Sequence, residues 1–292
     1  MKILFTLLIV LYSFTSASIT RVAAVNFQIT GGKDLTAHLK RIDELAALAR
    51  KQEVRFLLLP ELISFDLLSV NPEEKKIPTE LGDLAKKYPD YEAGLKTIAL
   101  KHSLNLVGAS TVVKSETHFI NRAFFISAKG KVHHQDKLYP TPWEKKYGFK
   151  GGKKIDLFTH DGIPFVILTC HDAEFPSVSS FLVPLRPEVI FVPSQTDNLY
   201  GLERVRATSQ ARAIEHFAYV IMTGASGMKE APWHTYVGRN FLFTPQNKYF
   251  PEKSRMSVNQ ANEELSIFQL DLETLRTARK DKSQVYPARD QR

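Results

Sequence analysis

Short apolar runs recur along this chain, and each is closed by a residue that turns or charges the backbone; this spacing restricts the fold more than any single motif. Val54 to Leu59 has the nearly continuous apolar character of a strand buried on both faces, and it stops at Pro60-Glu61. Ile163 to Thr169 is a second such run and leads directly into Cys170, the only cysteine, followed by His171-Asp172. Val189 to Val192 is a third. Between these runs lie segments with helical periodicity. After Arg21 to Gln28, Gly31-Gly32 breaks the chain, and Asp34 is placed to cap a helix whose apolar face is Leu35, Leu39, Ile42, Leu45, Ala46 and Ala49.

The remaining pattern is of the same kind. A helix is expected from about Tyr91 to His102, then a strand from Asn105 to Val113 and a hairpin pairing Ala123–Ser127 with Lys131–Gln135 around Lys129-Gly130. A second pair, Ile155–Thr159 and Ile163–Thr169, turns at His160-Asp161-Gly162. A short helix near Phe175–Val183, a long one from about Leu202 to Phe217, and strands at Ala218–Thr223, Val237–Phe243 and Ile267–Leu270 complete the reading. Strands interleaved with helices and hairpins predict a mixed α/β sheet system covered by helices. The lysine-rich stretch from Asn71 to Lys87 reads as a surface excursion, and the basic segment from Arg276 as a poorly ordered tail.

Met1-Lys2, the mostly apolar Ile3 to Phe14 and the small residues Thr15-Ser16-Ala17-Ser18 have the layout of a cleavable secretory signal, too short for a span of about 20 apolar residues. The expected organisation is therefore a signal peptide at 1–18, one domain at 19–275 and a tail at 276–292, with the mature protein exported to a periplasmic or extracellular space and carrying no membrane span. Exported proteins often use cysteines in pairs as staples, so a single unpaired thiol points toward chemistry. The composition, 43% hydrophobic and 24% charged, is that of a globular chain. The formal charge of +8 is scattered through short pairs such as Lys145-Lys146 and Lys153-Lys154, with no basic stripe interleaved with aromatics, which argues against nucleic-acid binding.

Glu61, Lys137 and Cys170 each stand just beyond an apolar strand, where ligands of α/β folds collect. Hydrolysis of an amide through a covalent intermediate needs a nucleophile, a base and a positive group for the oxyanion. A free thiol, with a pKa of about 8.5, is mostly protonated at neutral pH and needs a base within reach. Glu61 is the candidate base, Lys137 the oxyanion partner, and the backbone N–H of His171 a second oxyanion donor. Each position has a plainer reading: Glu61 as a turn residue, Asp136-Lys137 as a solvated strand end, Cys170 as a small buried hydrophobe. No metal or cofactor is expected, because neither His133-His134 nor His171-Asp172 has ligand spacing and no Gly-rich phosphate loop or serine elbow occurs.

Pro60-Glu61, Asp136-Lys137-Leu138-Tyr139 with Glu144 downstream, Cys170-His171-Asp172 with Phe175-Pro176, and Gln210-Ala211-Arg212-Ala213-Ile214-Glu215 resemble, in order and spacing, the carbon–nitrogen hydrolase (nitrilase) superfamily. The resemblance runs from about Arg21 to Leu270. It implies an α-β-β-α four-layer sandwich, a Glu61-Lys137-Cys170 triad, and Glu144 as a second acid holding the lysine and the substrate nitrogen. The alternative for Glu144 is membership of a surface charge cluster with Lys145-Lys146. The resemblance also implies a homodimer formed through the helix containing Arg212 and Glu215, whose charges otherwise read as a solvated face. By the same resemblance, His171-Asp172 after the cysteine is similar to amide-cleaving rather than nitrile-cleaving members and implies a small-molecule amide as substrate, while Glu174 departs from the basic residue common in amidases. Nitrile hydrolysis by the same residues, an inactive binding protein on the same scaffold and a basic adhesion protein are the other readings.

Overall fold

The computed structural model describes residues 19–70, 72–227, 236–250, 256–258 and 265–290; the signal-like segment at 1–18 lies outside them. The described strands are β1 (Ile19–Val25), β2 (Phe27–Ile29), β3 (Phe56–Leu59), β4 (Asn105–Lys114), β5 (Phe119–Ile126), β6 (Val132–Asp136), β7 (Phe158–His160), β8 (Ile163–Ile167), β9 (Val189–Gln195), β10 (Tyr219–Gly227), β11 (Phe241–Phe243), β12 (Met256–Val258) and β13 (Leu265–Asp271). The helices are α1 (Leu35–Lys51), α2 (Ile77–Lys86), α3 (Tyr88–His102), α4 (Pro142–Lys146), α5 (Val178–Leu185), α6 (Leu199–His216), α7 (Leu272–Lys280) and α8 (Pro287–Asp290).

Two mixed sheets result, one ordered β13-β1-β3-β4-β5-β6 and the other β12-β11-β10-β9-β8-β7, with β2 added beside β10. In each, parallel strands at the centre are flanked by antiparallel ones: β1, β3 and β4 run parallel, as do β8, β9 and β10.

The period of two along each strand decides the layers. Val22, Ala24, Phe56, Leu58, Val107 and Phe125 of the first sheet meet Phe165, Ile167, Phe191 and Ile221 of the second in one apolar interior, with the Phe125 and Phe165 rings edge to face at 4.9 Å. The alternate residues of the first sheet, Ala23, Val25, Leu57, Leu59 and Leu106, pack under α1 and α3 through Ile42, Leu45, Ala46, Leu95 and Ile98. Those of the second, Val166, Leu168, Ile190, Val192 and Val220, pack under α5 and α6 through Val178, Leu182, Leu202 and Val205. The architecture is the expected α-β-β-α sandwich.

Three local expectations are corrected. Residues 72–87 are more than a surface excursion: α2 buries Ile77, Leu81, Leu84 and Ala85 on one face, while Lys86 and the flanking Lys75, Lys76 and Lys87 face solvent. The basic C-terminal segment is docked rather than loose. Arg276 makes two bonds of 2.8 Å to Glu188, Arg279 donates to the Phe217 carbonyl at 2.9 Å, and Tyr286 is buried with its ring 5.2 Å from that of Phe217. Its charges satisfy carbonyls exposed where α6 ends. Finally, the strand expected at Val237–Phe243 is confined to Phe241–Phe243; Val237 instead donates its N–H to the Thr196 carbonyl at 2.8 Å.

Candidate active site

The ends of β3, β6 and β8 bring three side chains to one floor, joined there by the Gln195 main chain from the end of β9 and by Glu144 from α4. After β3, a bulge in β4 brings Gly108 against the strand end; it has φ +87°, and a Cβ there would lie 2.0 Å from the Leu59 carbonyl oxygen, so only glycine fits. The same bulge delivers the Ser110 hydroxyl to the Leu62 N–H at 2.8 Å, fixing the residue after Glu61. Lys137, just past β6, is pinned by its own main chain: its N–H donates to the Asn121 carbonyl at 2.9 Å and its carbonyl accepts from the Gly152 N–H at 2.8 Å. Cys170, at φ +49°, sits in the left-handed region that non-glycine residues rarely occupy, at the start of a short helical turn, Cys170–Glu174.

These side chains converge. The Lys137 ammonium donates to Glu61 Oε1 at 2.8 Å and to Glu144 Oε2 at 2.7 Å, with all three residues 2% exposed. The Cys170 thiol faces the Gln195 carbonyl at 3.7 Å and lies within the electrostatic reach of the Glu61 carboxylate. Gln195 supports both partners, because its N–H donates to Glu61 Oε2 at 3.0 Å. Glu144 is not part of a surface cluster: it is buried while Lys145 and Lys146 are exposed. It is the third residue of α4, where its carboxylate takes the Thr141 N–H at 2.7 Å in a capping box that Thr141 completes at 3.2 Å.

Two supporting residues are not legible as such in the sequence. Asn121, the third residue of β5, donates from Nδ2 to both carboxylates, at 2.8 Å to Glu61 and 2.9 Å to Glu144. Asp172, fully buried, accepts the Leu138 and Tyr139 N–H groups at 3.0 and 2.8 Å and the Thr169 N–H at 3.2 Å. The capping pattern Thr141-Pro142-Trp143-Glu144 is a signal that could have fixed the Glu144 orientation in advance; nothing comparable marks Asn121.

The protonation states follow from burial and charge. Burial alone would lower the Lys137 ammonium, but Glu144 and Glu61 on either side outweigh it and hold it well above the usual lysine range. Burial raises Glu144 too, yet the ammonium, Asn121 and the Thr141 amide together hold it below the usual carboxylate range. Glu61 goes the other way: burial, assisted by the Glu144 charge, pushes it up against the pull of Lys137. Burial and the facing Glu61 charge push the Cys170 thiol well above its ordinary value. Burial raises Asp172 to about 7 against the pull of Lys137 and the three amides. The resting site thus holds a neutral thiol against a carboxylate of raised proton affinity, with one ionised acid and one ammonium behind it.

Above this floor opens a cleft of about 360 Å³. Trp143 and Tyr236 line its apolar side, and His171, Glu174 and Arg204 its polar rim. Glu174 links the other two, accepting from Arg204 Nε at 2.8 Å and lying 3.0 Å from His171 Nδ1. The His171 N–H belongs to the first turn of the helical segment opened by Cys170, ahead of any intrahelical acceptor. Behind the turn, Arg212 is buried and donates to the Ala173 carbonyl at 3.3 Å and Ser179 Oγ at 2.6 Å, so it is neither a solvated charge nor free. Among the described residues no cluster of three His, Cys, Asp or Glu side chains could hold a metal, and no helix is long and apolar enough to cross a membrane.

The sequence profile described as carbon-nitrogen hydrolase matches residues 21–280, most of the chain and all of the floor just described. The chain belongs to the carbon–nitrogen hydrolase family. This hydrolase is 25% identical over 272 residues to a probable hydrolase of Bacillus subtilis, YhcX, aligning with 92% of the present chain but spanning only 53% of that protein's length. It is 27% identical over 236 residues to a deaminated glutathione amidase of Synechocystis, covering 76% of this chain and 84% of the relative. The same architecture occurs in a carbon–nitrogen hydrolase of Helicobacter pylori, with a TM-score of 0.73 at 17% identity over 90% of this chain and 93% of that one. It recurs in a nitrilase-superfamily amidase of Nesterenkonia, with a TM-score of 0.71 at 19% identity over 90% and 95% of the two chains. The hydrolase is thus an enzyme of amidase-like character that acts on carbon–nitrogen bonds and is not a peptidase.

Proposed function

We propose that this hydrolase cleaves a small-molecule amide through a thioester on Cys170, with Glu61 as base, Lys137 as oxyanion partner and Glu144 as auxiliary acid. Glu61 takes the thiol proton as Sγ attacks the amide carbon, and the oxyanion that forms meets the Lys137 ammonium and the His171 N–H. Collapse passes the Glu61 proton to the leaving nitrogen and leaves an acyl-thioester. Glu61 then accepts a proton from water as it attacks, and the thioester resolves to a carboxylic acid with the thiol re-protonated. Glu144 stays ionised throughout, keeping Lys137 charged.

The observation that carries this reading is the Lys137 ammonium set between two buried carboxylates, one of which shares the Gln195 main chain with the only thiol. A solvated strand end or an inert core cysteine has no use for such an arrangement, which burial makes costly. His171-Asp172 after the nucleophile supports an amide rather than a nitrile. The signal-like segment at 1–18 supports export, and partly exposed Phe181 and Ile214 on α5 and α6 support a homodimer through that face. Ammonia release from a panel of primary amides tests the activity: the wild type is expected to turn over at least one, and Cys170→Ala none. Equal release by both proteins would remove the thiol from the mechanism. Sedimentation of the purified mature protein tests the dimer; a monomer at micromolar concentration refutes it.

A further inference from the structure

We propose that Asp172 is a positioning residue that locks the oxyanion cation and the nucleophile into one frame. Its carboxylate touches neither the cleft nor the reacting groups. Instead Oδ1 takes the N–H groups of Leu138 and Tyr139, the two residues after Lys137, and Oδ2 takes that of Thr169, the residue before Cys170. The Asp172 N–H returns to the Thr169 carbonyl at 3.0 Å, closing the turn on which Cys170 holds its positive φ. One buried side chain therefore clamps segments that lie more than thirty residues apart in sequence and follow strands of different sheets.

The clamp has a specific consequence. Lys137 is held from the front by two carboxylates, but these fix only the ammonium; the register of its main chain against the nucleophile depends on how Leu138 and Tyr139 are anchored. Gly152 and Asn121 tie Lys137 within its own sheet. The hydrogen bonds from Leu138 and Tyr139 to Asp172 carry that position across to the Cys170 turn at the main chain, while the Tyr139 side chain stacks on Phe175 at 4.0 Å and its hydroxyl lies 2.8 Å from Ser177 Oγ. Glu61 and Cys170 are instead held relative to each other by the Gln195 main chain, which touches both residues. Loss of the clamp should thus spare deprotonation of the thiol and impair only steps that need sulfur and ammonium together.

The inference rests on the hydrolase reading only in pairing Lys137 with the oxyanion, and its test needs no turnover. Acrylamide and methyl methanethiosulfonate are reacted with Cys170 in the full-length mature protein. With acrylamide, sulfur bonds to the β-carbon, the C=C pair moves onto the amide as an enolate whose oxygen needs a cation, and the α-carbon then takes a proton. With the thiosulfonate, sulfur displaces sulfinate and no carbonyl oxygen gains charge. Asp172→Asn, isosteric with the native residue, turns one of its three contacts into opposed donors and is expected to slow acrylamide about tenfold. Asp172→Ala, which loses both arms, should slow it at least about thirtyfold, and the thiosulfonate rate should stay within about threefold for both. If the alanine variant fails to fold, the asparagine variant decides. Both reagents unchanged, or both slowed alike, would overturn the proposal. So would a further tenfold loss when Asp172→Asn is added to Lys137→Ala, because the clamp is argued to act through Lys137. A wild type that adds acrylamide at Cys170 but hydrolyses no amide would defeat the hydrolase reading and leave the clamp standing.

Discussion

The floor and the rim of the cleft are both built from ion pairs, yet they obey different physics. On the floor, Glu61, Lys137 and Glu144 are nearly sealed from water, and every charge is matched by a partner or an amide. At the rim, the Arg204 side chain is 62% exposed while it bonds Glu174 at 2.8 Å. A sealed charge left unpaired is expensive, so floor residues depend on one another; an exposed pair is screened and contributes at most about 1 kcal/mol. The reacting chemistry belongs to the first region, and the rim is where a change of substrate could be accommodated without dismantling the floor.

The sharpest way to break this contrast is at the nucleophile. Cys170→Ala should fold and lose at least about four orders of magnitude in turnover, measured as ammonia release, because no other side chain on the floor can form the acyl intermediate. Lys137→Met should cost about two to three orders of magnitude in kcat. It should also lower unfolding free energy by about 3 kcal/mol in urea titrations, since two buried carboxylates then face each other with only Asn121 between them. Asn121→Leu, which removes the amide shared by those carboxylates, should reduce kcat about tenfold and stability by about 1 to 3 kcal/mol.

A pH series sharpens the same contrast. The Lys137 ammonium is held above its unfolded value, so the stability it contributes is fully present below about pH 10.4 and is lost as pH rises toward the folded value. The wild type should therefore lose stability relative to Lys137→Met above that pH, by up to about 1.4 kcal/mol per pH unit. A constant difference from about pH 9 to about pH 11.5, a range that brackets the ordinary lysine value, would show that the ammonium is not electrostatically held. The smallest effect is expected at the rim, where Arg204→Ala should change kcat by less than about threefold and stability by under about 1 kcal/mol.

How much of this is written in the sequence differs between the same two kinds of position. Glu61 and Cys170 are legible because each stands just beyond an apolar run that reads as a buried strand, and Lys137 because it closes the second strand of a hairpin; strand ends meet. Asn121 and Asp172 are not, since their roles depend on inter-strand register and on main-chain N–H groups that a residue list does not display. The docked C-terminal segment escapes sequence reading for a related reason: Arg276 and Arg279 look like solvated charges until Glu188 and the carbonyl beyond α6 are placed beside them. Around α2 the flanking lysines mask Ile77, Leu81 and Leu84, whose spacing already describes a buried helical face.

The central claim is that Cys170 carries the acyl group while Glu61 moves its proton. Intact-mass analysis with peptide mapping of Glu61→Gln, mixed with an activated ester of an acid whose amide the wild type hydrolyses, tests it most directly. The account predicts one acyl adduct, on the Cys170 peptide, that persists because water is no longer activated. An adduct on another residue, or the same adduct in Cys170→Ala, would contradict it.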